Sequence, residues 1–132
     1  MSEPLTVVDR YFRDLEQGDF TAAVSHFTAD ALYSHPPFPE EGADGLRHET
    51  RGRDALLEVF HRRGVRTLRH RIESVASNDD EFFVRGVVLD GDDVVMSFVS
   101  VGRLDAGSGL MNEYAAYASV PSVGHTLREE TS

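Results

Sequence analysis

Three titratable residues stand where a pocket could use them: His35, His70 and Glu113. His35 closes a short β-rich run just before Pro36 and Pro37, and a long loop follows. An imidazole titrates near neutral pH and can carry protons, so His35 is a candidate for the rim of a pocket. His70 lies in Leu68-Arg69-His70-Arg71-Ile72. Alternate residues of a strand share a face, so His70 points inward with Leu68 and Ile72, and its flanking arginines point away. Glu113 and Tyr117 are four apart on one strand, hence on one face and about 13 Å apart. If that face is the inner one, Glu113 is the carboxylate candidate, with a pKa raised by apolar surroundings. Tyr11 and Tyr33 could offer hydroxyl donors to a carbonyl or an oxyanion, and with Tyr117 would orient a substrate. Arg85, set in Phe82-Phe83-Val84-Arg85-Gly86-Val87, could bind a ligand carboxylate or pair with Glu113. Each has a plainer reading: a hydrogen-bonded core histidine, an exposed glutamate, a packed aromatic.

Other chemistry lacks its signature. No two histidines have a tight metal-ligand spacing such as H-x-x-x-H, and the absence of cysteine excludes thiolate zinc, disulfides and a thiol nucleophile. Gly107-Ser108-Gly109 is a turn, not a phosphate loop, and no G-x-S-x-G elbow occurs. Any reaction is therefore expected to run without a cofactor.

The elements that must position these residues follow from periodicity. Leu5, Val8, Phe12 and Leu15, widened by Val7 and Tyr11, form a helical stripe. Ser2 and Pro4 suit its start and Gly18 its end. Asp19 caps a second short helix with Phe20, Ala23, Val24 and Phe27 on its apolar face. A strand over 31–35, a loop over 36–52 and a third helix from Asp54 to Gly64 come next. Four strands then form a meander over 68–76, 81–89, 93–104 and 110–120, with Asp90-Gly91 as a hairpin turn. Helices followed by an antiparallel meander give an α+β fold with the helices on one face of a twisted sheet. In Val94-Val95-Met96-Ser97-Phe98-Val99-Ser100-Val101 both alternating faces are largely apolar. A strand covered on one side only should alternate, so a homodimer through the outer face is expected, by way of Met96 and Phe98 or of Val95, Ser97 and Val99.

A chain of 132 residues with 40% hydrophobic and 27% charged residues is one globular domain, here 1–120, with a tail over 121–132. All of its basic residues are arginine, and its net charge is −10. That balance speaks against nucleic acid and anionic membranes as partners. No apolar run is long enough for a membrane span, and the N-terminus lacks the pattern of a secretory signal, so a cytoplasmic location is expected.

The opening VVDRYFRDLEQGDFTAAVSHFTADALYSHPP, the helix RGRDALLEVFHRRG and the last strand GLMNEYAAYASV resemble, in order and spacing, a SnoaL-like domain of the nuclear-transport-factor-2-like (NTF2-like) superfamily. The resemblance spans about residues 4–120. It implies a cone-shaped half-barrel, three N-terminal helices on a curved, mainly antiparallel sheet. It also implies a pocket role for His70, since dehydratase-like members use such a histidine as a base. The family's acidic residue near the end of the last strand is replaced by Ser119, and its inward arginine by Ala115. The expected function is a small-molecule pocket protein, a cofactor-independent lyase, isomerase or hydrolase acting on a hydrophobic metabolite. The alternative is a non-catalytic ligand-binding or dimerisation module.

Overall fold

The computed structural model describes residues 3–36, 46–65 and 67–119. In chain order the elements are α1 (Glu3–Glu16), α2 (Phe20–Val24), β1 (Phe27–His35), β2 (His48–Arg51), α3 (Arg53–Arg63), β3 (Leu68–Asn78), β4 (Glu81–Asp90), β5 (Asp93–Leu104) and β6 (Met111–Ser119). The stripe of α1 buries Val8, Tyr11 and Phe12. Gly18 ends the helix region with a positive φ of 78° that its missing side chain permits, and the Asp19 carboxylate accepts from the Ala22 amide at 3.1 Å, capping α2. Ser2 and the tail over 121–132 lie outside the described residues. Among the described residues no helix is long and apolar enough to cross a membrane.

The strands form one sheet in the order β2-β1-β6-β5-β4-β3. Among the described residues only β1 and β6 pair in parallel. Asp90-Gly91 makes the β4–β5 turn as its sequence predicts, with Gly91 at φ 63°. Two expectations change. β1 begins at Phe27, not Ala31, because Phe27 pairs with Met111 across the parallel ladder, a tertiary contact that overrides the turn-like Thr28-Ala29-Asp30. The stretch read as loop contains β2, which adds to β1 with Tyr33 opposite Thr50 and His35 opposite His48. Its sequence, His-Glu-Thr-Arg, shows no apolar alternation because an edge strand need bury neither face.

The helices cover the inner face, where Phe82, Val84, Val88, Phe98, Ser100 and Tyr114 are buried. On β5 the parity is decided: Met96 and Phe98 face inward, and Ser97, Val99 and Val101 face outward. Register shifts leave extra residues on β1, β3, β5 and β6, and such bulges bend a sheet.

Candidate functional site

His70 stands on β3, the last strand of the sheet. An edge strand leaves alternate backbone groups without a ladder partner, and here α1 supplies them. The Glu16 carboxylate accepts from the His70 amide at 2.7 Å, and Arg13 Nη2 donates to the His70 carbonyl at 2.7 Å. The same Glu16 Oε2 lies 3.0 Å from His70 Nδ1, and Arg13 Nη1 donates to Glu16 Oε1 at 2.8 Å. The imidazole stacks on Phe12 with ring centres 4.2 Å apart, and Phe98 meets it edge-on at 5.6 Å. Phe98 can lie there because residue 86 is glycine: a Cβ at Gly86 would come within 2.8 Å of its ring.

Burial pushes the Glu16 carboxyl up, but hydrogen bonds from the His70 ring and amide, with the charge of Arg13, outweigh it and hold the carboxyl below its ordinary value. Glu16 is therefore ionised and can only accept. Nδ1 of His70 therefore donates to it, and Nε2 is the ring nitrogen that Glu16 does not engage.

Glu16 and His70 line a cavity of about 160 Å³. Leu15, Phe60, Leu68, Val88 and Met96 make its walls apolar, and Arg63 is its remaining charged group. Arg63 ends α3, where Gly64, at φ 75°, turns the chain and returns its amide to the Phe60 carbonyl. Arg63 Nη1 donates to the Tyr33 hydroxyl at 3.2 Å.

The other predicted residues do not gather there. Tyr11 and Tyr33 belong to a packed aromatic cluster with Phe27 and Tyr114, their hydroxyls 3.4 Å apart, and neither lines the cavity. Tyr114 and Ser100 share a 2.7 Å hydrogen bond. Burial raises the pKa of Tyr11 and of Tyr114, so both stay protonated. His35 is buried beside Tyr33, its Nδ1 2.8 Å from the Pro36 carbonyl oxygen and its ring stacked on His48. Burial, together with the charges of Arg63, His48 and Arg47, drives its pKa down to about 4 despite that hydrogen bond.

Glu113, Tyr117 and Arg85 lie on the outer side of the sheet, away from the cavity. The inward residues of β6 are Tyr114 and Ala116, one step out of phase with the parity read from the sequence. Glu113 is on the outer side, 3.6 Å from Arg103 with its side chain 55% exposed. Tyr117 is exposed beneath the Arg47 guanidinium, and Arg85 is exposed on β4. Ala115 and Ser119 share the outward register, so they are not the positions that an inward arginine and acid would take. The misreading has a physical source: both parities of Glu113-Tyr114-Ala115-Ala116-Tyr117-Ala118 contain a tyrosine and alanine, so alternation gives no sign of the buried side.

Glu16 and Arg63 were missed. Glu16 did carry a signal: a carboxylate in the last turn of a helix opposes the macrodipole, which suggests a tertiary use. Arg63 carried none, since an arginine at a helix C-terminus is favourable anyway. Among the described residues no group of His, Asp or Glu side chains could hold a metal ion.

The fold recurs in solved structures at low sequence identity. An NTF2-like protein of unknown function from Burkholderia xenovorans superposes with a TM-score of 0.67 at 16% identity, covering 96% of this chain and 91% of its own. A candidate SnoaL-like polyketide cyclase from Shewanella denitrificans gives 0.67 at 13% identity over 95% and 96% of the two chains. An LEH-like epoxide hydrolase from M. tuberculosis gives 0.66 at 16% identity over 89% and 83%. No curated protein matches the sequence. The family model of the SnoaL-like domain matches residues 8–110, most of the chain, and the protein belongs to that family.

Proposed function

We propose that the chain binds a small, largely apolar metabolite carrying a carbonyl or hydroxyl group, and that His70, held by Glu16, moves a proton on it without a cofactor. The observation that carries this reading is the His70–Glu16 pair in an otherwise apolar cavity. Ionised Glu16 fixes the tautomer with Nε2 as base and stabilises the imidazolium formed once the proton is taken. At about 160 Å³ the cavity is close to the roughly 150 Å³ of an engineered apolar cavity that admits benzene, so the ligand is small. That the epoxide hydrolase neighbour shares the fold supports small-molecule chemistry on this scaffold.

Binding without catalysis is the second reading. The aromatic cluster of Tyr11, Phe27, Tyr33 and Tyr114 favours it by filling much of the inner face. A thermal-shift screen of small metabolites finds the ligand class, since a ligand at 100 times its dissociation constant adds about 2.7 kcal/mol. With a hit in hand, His70→Gln is expected to remove turnover by at least about a hundredfold, the lower range of general acid–base catalysis. A variant that binds and turns over as well as the parent would dismiss His70 as the base. Binding with no turnover in the parent would favour the second reading.

The outer face supports a homodimer. Phe83 lies opposite Val101, which lies opposite Ala115, and Val99 lies opposite Tyr117. Phe83, Val99 and Tyr117 are exposed, and contiguous apolar area of this kind marks interfaces. Light scattering is expected to give a dimer that Phe83→Arg splits.

A further inference from the structure

We infer that the ligand is a small carboxylate whose charge is anchored by Arg63, an inference that rests on reading the cavity as a ligand pocket. The charges around the cavity do not balance. Glu16 is answered twice, by Arg13 at 2.8 Å and by the His70 ring at 3.0 Å. Arg63 is answered by no carboxylate among the described residues. Its guanidinium donates to one neutral oxygen, the Tyr33 hydroxyl, and lies 5.6 Å from the centre of the Phe60 ring.

A partly buried guanidinium with no counterion among the described residues has given up water, which is unfavourable unless something else supplies the charge. Its planar fork matches the two oxygens of a carboxylate. Tyr33 holds one nitrogen and so orients the fork, leaving its other donors for a ligand. Because Glu16 shares the cavity, an anion is favoured only at the Arg63 end. The ligand's apolar body would then lie against Leu15, Leu68, Val88 and Met96, with its reacting atoms toward His70. The cavity volume suits a carboxylate with one ring or a short branched chain.

Titration of the full chain with benzoate and with its neutral isostere benzamide, followed by NMR at His70 and Met96, tests this. Benzoate is expected to bind at least about tenfold more tightly. Arg63→Met should remove that preference with little change in melting temperature. Arg63→Lys, which keeps the charge and loses the fork, should retain part of it and serves if the methionine variant folds poorly. Benzamide binding as well as benzoate would overturn the carboxylate inference and leave the pocket reading standing. A preference that survives Arg63→Met would overturn the role of Arg63. If neither probe perturbs His70 or Met96, the pocket reading falls and the inference with it.

Discussion

The inner face has two ends that use similar residue types differently. Toward β1 and β6, Tyr11, Phe27, Tyr33 and Tyr114 pack edge to face or stacked, with ring centres 5.3 to 6.2 Å apart, and their polar tips meet one another, Ser100 or Arg63. Toward β3 and β4 the aromatics Phe12 and Phe98 only brace His70, and aliphatic walls leave space that no side chain fills. The comparison shows how one sheet face serves both as core and as site. Where large rings interlock, polar groups pair with each other and the interior is closed. Where they give way to Leu, Val and Met, charged groups from two helix ends can border a cavity.

The most severe way to break this comparison is at the closed end. Tyr114→Ala removes a buried ring that touches Tyr11, Phe27 and Tyr33, and should destabilise by about 3–5 kcal/mol. Thermal unfolding should then show a midpoint lower by about 10 °C or more. A drop of only a degree or two would mean that this end is not the core.

Acid separates the two ends by where stability is lost. His35, beside Tyr33, has a folded pKa of about 4 against an ordinary 6.5, so the unfolded chain takes its proton first. The stability held by neutral His35 is complete above pH 6.5 and declines as pH falls toward 4. His35→Phe should flatten the curve in that window. Glu16 has a folded pKa below its ordinary 4.5, so its contribution is present above 4.5 and is lost at lower pH. Glu16→Gln should flatten only that acid limb. Denaturant midpoints across pH check both, and a His35→Phe curve parallel to the parent's would refute the buried neutral imidazole.

The mildest test is on the outside of the sheet. Glu113→Gln weakens an exposed contact to Arg103 and should change stability by less than about 0.5 kcal/mol, with ligand binding unaltered. A clear loss of binding would return Glu113 to the site.

What the sequence determined by itself is local. The stripe of α1, the Asp19 cap, the stop at Gly18, the turn at Asp90-Gly91 and the inward side of His70 each depend on residues within a few positions of one another. Leu68 and Ile72 flank His70 with clear alternation, so its face was legible, while β6 offers no such contrast and its face was not. The site depended on tertiary structure. Glu16 and His70 are 54 positions apart and meet only because α1 packs against the edge of β3, where the strand's spare backbone groups need partners. Arg63 became a cavity residue only when the end of α3 came to rest beside Tyr33, 30 positions away. Side-chain chemistry can be read from spacing along a chain, but which charged groups share a cavity is set by how helices pack on a sheet, which no single segment encodes.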